Sequence, residues 1–326
     1  MKKLTIAIPT YNRAQYLPTV LTSILKQKSD DIEILVVDNA STDGTYNYMM
    51  KILNLNPDIR YIRNQTNLGA DGNFLKCYEV ASGEYVMLLG SDDYLMDGAI
   101  NEIVQFLTEH NESDFLMLNF NMFDENNKNI MDQYLEIDRN IYLNDKNVFI
   151  RHADVMITFM SCMICRTKLM RMVPNPQKYI GTHFIHTCIF FEASKKPICN
   201  YGIISKPCVA ANITEGNGSA EGSFKIFGEC LHHVLCDIGP QFGFDNTLLE
   251  NIFYKDVKKN WHSWIVNSVI TNNGKVNEYK VYGKPCLNKH LGYRLFLDML
   301  SICPSNLLIL AKKVKNLVSR KRYGKS

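Results

Sequence analysis

The first 110 residues alternate between two periodicities, and that alternation constrains the fold more than any other feature. "LTIAI" (4–8), "IEILVV" (32–37), "IRYIRN" (59–64) and "YVMLL" (85–89) are short apolar runs with the look of strands. Between the first two, Leu17, Val20, Leu21, Ile24 and Leu25 recur at helical spacing over residues 14–28. Thr42–Leu53, 72–82 and 97–109 also read as helices. Strands joined through helices pair in parallel, with helices on both faces of the sheet. Ligands of such sheets sit beyond the C-terminal ends of the strands. That rule selects Pro9–Arg13, Asp38–Ser41, Asn64–Asn73 and Gly90–Asp93, all polar, as one cleft rim.

The pattern changes after residue 115. "DFLMLNFNMF" (114–123) and "ITFMSCMICRT" (157–167) read as further strands, predicting a mixed sheet over 115–210. "TEGNGSAEGS" (214–223) has the composition of a linker with some lid function. Beyond it the chain reads as helical. The expectation is an α/β fold with a mixed, mostly parallel sheet between helices. A catalytic domain over 1–213 precedes a helical region over 214–326. With 326 residues and 46% hydrophobic content, more than one domain is expected.

The start "MKKLTIAIPTYN" reaches Pro9 too soon for a cleavable signal peptide. No run of about 18 apolar residues is present, so no transmembrane helix is expected. The best candidate, 295–310, is broken by Asp298 and Pro304. Ten cysteines without a secretion signal read as reduced thiols in a cytoplasmic protein. Cys162 and Cys165 form a C-x-x-C, and Cys230 and Cys236 flank His232 and His233. No zinc spacing joins these groups, and "SCMIC" alternates like a strand, so buried free thiols are the preferred reading.

Charge is unevenly placed. Residues 312–326 hold seven Lys or Arg and no acid; without them 29 basic residues face 33 acidic ones, a net of −4. Leu307, Leu308, Leu310, Ala311, Val314 and Leu317 approximate an apolar helix face beside Lys312, Lys313 and Lys315. This pattern fits a peripheral anchor on anionic lipid, rather than a nucleic-acid contact. The alternatives are a frayed solvated end and a helix packed on the body.

The rim lacks both a P-loop and a dinucleotide-binding G-x-G-x-x-G, so phosphate must be held another way. Asp92 and Asp93 are adjacent hard-oxygen donors suited to Mg²⁺ or Mn²⁺, a cation that leaves positions for a substrate diphosphate. A helix cap or turn also explains one of these carboxylates, but not two. Asp38 ends an apolar strand, placed to accept a hydrogen bond from a base or ribose. The other reading of Asp38 is an Asx-turn in "DNASTDGT".

"IAIPTYNR", "ILVVDNASTDGT", "NLGADGN" and "SGEYVMLLGSDDYL" occur in the order and approximate spacing of family-two glycosyltransferases of the GT-A fold, which this chain resembles. The resemblance is strong over about the first 110 residues and fainter through "MICRTKLMRMVP" and "YIGTHFIHTCIFFEA". "NLGADGNF" and "GTHF" look most like the abequosyltransferase branch of O-antigen sugar transferases. The resemblance implies a nucleotide pocket lined by Pro9, Thr10, Tyr11 and Arg13, with Asp38 recognising the donor base. Asp92 and Asp93 match the end of the family's Asp-x-Asp motif, with Asp93 as direct metal ligand and Asp92 at the ribose or metal shell. Gly90 stands where a first acid is usual. Asn67 and Asp71 fall in the donor loop, where Asp71 replaces a basic residue and is expected on a sugar hydroxyl. His183 falls where the family carries a carboxylate as general base, and neutral imidazole can do that work. His186, one turn on, is expected to orient the acceptor or substitute as base, and Asp154 is an alternative base.

The implied reaction is inverting transfer of a sugar from a nucleoside-diphosphate sugar to a hydroxyl of a glycan. The expected acceptor is a lipid-linked oligosaccharide of a bacterial surface polysaccharide, met on the cytoplasmic face of the inner membrane. Two other readings compete. A sugar nucleotidyltransferase would want a Gly-rich basic first loop, which "PTYNR" is not. A non-catalytic nucleotide-sugar-binding scaffold would explain the missing acidic base.

Overall fold

The computed structural model describes residues 1–124, 129–212, 222–271 and 275–312. Most of the Gly-rich stretch 214–223 and the basic run after Lys312 therefore lie outside the described residues. The elements in chain order are β1 (Leu4–Thr10), α1 (Leu17–Leu25), β2 (Ile32–Asp38), α2 (Thr45–Leu55), β3 (Arg60–Arg63), α3 (Gly69–Val80), β4 (Tyr85–Leu88), β5 (Tyr94–Leu95) and α4 (Ala99–Glu109). They continue with β6 (Phe115–Phe123), β7 (Asn129–Met131), β8 (Ile141–Leu143), α5 (Lys146–Ala153), β9 (Met163–Arg166), α6 (Thr167–Arg171), α7 (Ile185–Ala193) and β10 (Tyr201–Asn212). The C-terminal part adds α8 (Asn246–Thr271), α9 (Lys275–Glu278) and α10 (Leu291–Ile302).

One ten-stranded sheet runs β3-β2-β1-β4-β9-β6-β10-β5, with β7 on β6 and β8 on β10. β3, β2, β1 and β4 are all parallel, as the alternating pattern requires. β9 inserts antiparallel between β4 and β6, and the long β6–β10 pair is parallel again. The buried runs explain this order. Every residue of β1 and of β4 is buried, which only a central strand covered on both faces achieves. Gly202 lets α4 close on β10, since a Cβ there would lie 2.4 Å from the Phe106 ring.

The run 157–167 is not one strand. Met160–Cys162 is a 3-10 turn, and only Met163–Arg166 pairs. All ten cysteines are free thiols. The chain divides into two units, Met1–Asn217 with Asp237–Leu249, and Gly218–Cys236 with Glu250–Ser326. Residues 237–249, counted with the C-terminal region in the sequence reading, thus belong with the first unit. The second unit has its own core, in which the Phe224 ring meets the rings of Trp261, Trp264 and Tyr279 edge-on at 5.2–5.6 Å.

Candidate active site

Parallel register sets the first part of the site. Thr10 of β1 lies opposite Asp38 of β2, and Asp38 opposite Arg63 of β3, so three polar residues line up at the C-terminal strand edge. Asp38 is fully buried. Its Oδ1 accepts the Ser41 N–H at 2.9 Å, which is the Asx-turn. Its Oδ2 accepts the Tyr61 hydroxyl at 2.6 Å and lies 3.4 Å from the Arg63 Nε. Both oxygens are therefore engaged within the protein, and the half-exposed guanidinium of Arg63 is the group presented outward beside them. Arg63 also donates to the Ser41 carbonyl and stacks over Tyr46. The sequence reading passed over Arg63. Its signal was its place as last residue of the third strand, level with Asp38.

Pro9 and Thr10 are buried, and the Thr10 hydroxyl oxygen has no hydrogen-bond partner among the described residues. Tyr11 is exposed, and the half-buried Arg13 lies against the Tyr16 ring. Asn12, with φ +53°, ties this loop to the next: its N–H reaches the Ser41 Oγ and its Oδ1 accepts the Thr42 N–H.

The loop after β3 is held by asparagines. Buried Asn39 donates to the Asn67 Oδ1 and the Gly69 carbonyl, and accepts from the Asn64 amide and the Leu68 N–H. Asn64 donates on to Asn73, which donates to the Val37 carbonyl. Asn67, expected on the donor, is thus tied to Asn39 and to the Gly69 N–H. Asp71 also differs from expectation. Its carboxylate is buried and accepts the backbone N–H groups of Gly181 at 2.8 Å and His183 at 3.0 Å, in place of a sugar hydroxyl.

Beyond β4 the chain turns through Gly90 to the two aspartates. The expectation made Asp93 the direct metal ligand. The structure buries Asp93, with Oδ2 accepting the Ser161 hydroxyl at 2.5 Å and Oδ1 the Asn212 N–H at 3.0 Å. Asp92 is half-buried and is the more accessible carboxylate. Burial, and then the charge of Asp92, push the Asp93 carboxyl up to about 7. Gly90 has a structural reason. A Cβ there would lie 2.7 Å from the Asp93 Oδ2 and 3.1 Å from the Ser161 Oγ, so Asp93 and Ser161 fill the space another carboxylate would need. Among the described residues no three His, Cys, Asp or Glu side chains gather to hold a metal. Asp92, the accessible carboxylate of the pair, is a hard-oxygen donor of the kind a divalent cation takes.

The histidines sit at the start of α7. His183 is half-buried with φ +62°, and His186 is buried. The His186 Nε2 lies 2.9 Å from the Thr158 carbonyl, so Nε2 carries the proton and Nδ1 the lone pair. Nδ1 is buried with no hydrogen-bond partner among the described residues. Burial lowers the His186 pKa below the usual imidazole range, keeping the ring neutral. The segment 158–161 joins the two halves of the site: Thr158 holds His186 and Ser161 holds Asp93. Asp154 has φ +53° and accepts its neighbour Val155 N–H.

Residues 5–172 match the family described as Glycosyl transferase family 2. The chain belongs to that family. Abequosyltransferase RfbV of Salmonella typhimurium is 31% identical over 63% of this chain and 65% of its own length. The GalNAc(5)-diNAcBac-PP-undecaprenol beta-1,3-glucosyltransferase of Campylobacter jejuni is 36% identical over 33% of this chain and 36% of its own. The chain thus spans less than two thirds of the length of these curated relatives. Among solved structures, S. aureus TarS 1-349 in complex with UDP-GlcNAc aligns over 96% of this chain and 92% of that one, with TM-score 0.60 and 18% identity. That likeness shows the GT-A fold of this family member.

Proposed function

We propose that the protein transfers a sugar, with inversion, from a nucleoside-diphosphate sugar to a hydroxyl of a lipid-linked glycan in the assembly of a bacterial surface polysaccharide. The observation that carries this reading is the line of polar groups at the strand edge. Thr10, Asp38 and Arg63 stand in register, and Asp92 and Asp93 follow the adjoining β4. The names of the relatives, an abequosyltransferase and a beta-1,3-glucosyltransferase of a PP-undecaprenol-linked glycan, support it.

In this reading Tyr11, Arg13 and Arg63 meet the nucleotide, with Asp38 fixing the Arg63 guanidinium. Asp92 would hold a divalent cation, with Asp93 braced behind it by Ser161. Such a cation, when bound, would supply charge to neutralise the departing diphosphate. His183 accepts the proton of the acceptor hydroxyl, and His186, buried and neutral, holds the start of α7 to the Thr158 carbonyl. The exposed apolar side chains near the C-terminus set the enzyme peripherally on the cytoplasmic face of the membrane that carries its acceptor.

A panel of sugar nucleotides with Mn²⁺ and a lipid-linked acceptor tests this. Release of nucleoside diphosphate, lost in Asp92→Ala and reduced by about 10²–10⁴-fold in His183→Ala, is the expected result. Release of pyrophosphate instead would mark a nucleotidyltransferase. Donor binding without turnover would mark a scaffold.

A further inference from the structure

Asp71 and the turn before α7 are more than a hundred residues apart in sequence, yet a single carboxylate joins them. Its Oδ2 accepts the N–H groups of Gly181 and His183, and its Oδ1 that of Ile185 at 3.4 Å. Gly181 and His183 both have left-handed backbone, with φ +97° and +62°. Histidine adopts that region only when its surroundings hold it there. Ile185 opens α7, whose first-turn N–H groups have no acceptor within the helix and carry the positive end of its dipole. An ionised carboxylate suits all three donors. An amide in its place offers one acceptor oxygen and turns an NH₂ toward the remaining N–H groups.

The other side of Asp71 leads to the donor end of the sheet. It lies in the first turn of α3, two residues after Gly69, whose carbonyl is held by Asn39. Asn39 follows Asp38 directly and also fixes Asn64, Asn67 and Leu68. Hydrogen bonds therefore lead from the end of β2, through the loop before α3 and Asp71, to the backbone of His183.

We infer that Asp71 is a positioning residue for the transfer step. It fixes the 181–185 turn so that His183 meets the acceptor hydroxyl, and it ties that turn to the loop at the nucleotide end of the cleft. The inference rests on the transfer reading above, with His183 as base. Asp71 itself touches neither substrate, so donor affinity does not depend on it.

Two measurements test this on the full chain. The first compares acceptor-dependent turnover in Asp71→Asn, His183→Ala and the double variant. Asp71→Asn lowers kcat by about 10- to 100-fold, the scale set by misplacing a catalytic group by about an ångström, and leaves the donor KM within about twofold. The double variant is no slower than His183→Ala alone, because Asp71 works through that side chain. The second is amide hydrogen exchange over residues 179–187, which speeds up in Asp71→Asn while exchange in β1, β2 and β4 stays as in the wild type. Wild-type turnover in Asp71→Asn, losses that multiply in the double variant, or unchanged exchange at 179–187 each overturn the inference. Failure of the transfer reading shows separately, as no acceptor-dependent nucleoside diphosphate release by the wild type. It removes the positioning role even where exchange still reports the clamp.

Discussion

Asp93 holds its proton to about pH 7, because burial strips water from its charge and Asp92 repels it. The unfolded group titrates near 3.8. Between these values the folded state binds more protons than the unfolded chain, so the contribution of Asp93 is full below about pH 4 and is lost as the pH rises through 7. For metal-free protein this amounts to about 2–4 kcal/mol at most. Asp93→Asn mimics the neutral acid: its amide can donate to the Ser161 Oγ while its oxygen accepts the Asn212 N–H. Thermal melts in EDTA from pH 4 to 8 should show stability falling toward pH 8 in the wild type and a flatter profile in Asp93→Asn. A divalent cation held by Asp92 should offset part of the loss toward pH 8 in the wild type, and should still bind the variant, which keeps Asp92. Equal pH profiles for the two proteins would remove the assignment. That the pair at 92–93 asks for a cation was legible in the sequence, because two neighbouring carboxylates repel each other. Which of them faces outward was not, because Ser161 and Asn212 come from distant segments that no local spacing connects to Gly90.

At the level of elements, periodicity located β1 to β4 and α1 to α4 within a few residues, since each is long enough to show its period. It failed at 157–162. There the chain takes 3-10 turns in which Ile157, Ser161 and Cys162 are buried, and these turns present the Thr158 carbonyl to His186 and the Ser161 hydroxyl to Asp93. Composition could not separate such a buried turn from a strand. The loop before α3 reads as donor-contacting from its place after the third strand and from the family resemblance. In the structure the same side chains pair with one another, which is what Asn does where backbone ends need partners. Asn39 is the hub, with four hydrogen bonds and 2% exposure. Asn39→Ala leaves those partners unsatisfied, at about 1–3 kcal/mol. The expected result is a lower urea midpoint with unchanged slope and a weaker donor Kd, both traceable to the 64–69 loop. A variant with wild-type donor affinity would show that this loop takes no part in the nucleotide end of the site.

For the molecule as a whole, the question is how a protein with a well-covered sheet leaves so much apolar surface near its C-terminus. On α10, Leu291, Leu295, Phe296, Met299 and Ile302 are 60%, 58%, 46%, 68% and 77% exposed, at spacings that share one side of a helix. Leu307 and Leu310 are exposed in the following turns. An apolar stripe of this size marks an interaction surface. No single helix among the described residues is long and apolar enough to cross a membrane, and α10 meets the helix over 305–312 at a 107° bend. Amphipathic helices that lie in the interface plane have this character, and in the proposed membrane contact the Lys and Arg run from Lys312 onward would supply the complementary charge for anionic headgroups. The sequence pattern proposes an anchor over 307–317, and in the proposed membrane contact the exposed face of α10 would extend it upstream. Leu295→Asp, Met299→Asp and Ile302→Asp combined should cut cosedimentation with vesicles containing anionic lipid by about tenfold or more, given about 1.5–3 kcal/mol for each large apolar side chain buried. The fold, followed by far-UV circular dichroism, should not change, because these side chains are mostly exposed. Binding of the wild type should also weaken with salt and on neutral vesicles. Unaltered vesicle binding in the triple variant, together with a shift from dimer to monomer on sedimentation, would instead assign the stripe to a second copy of the chain.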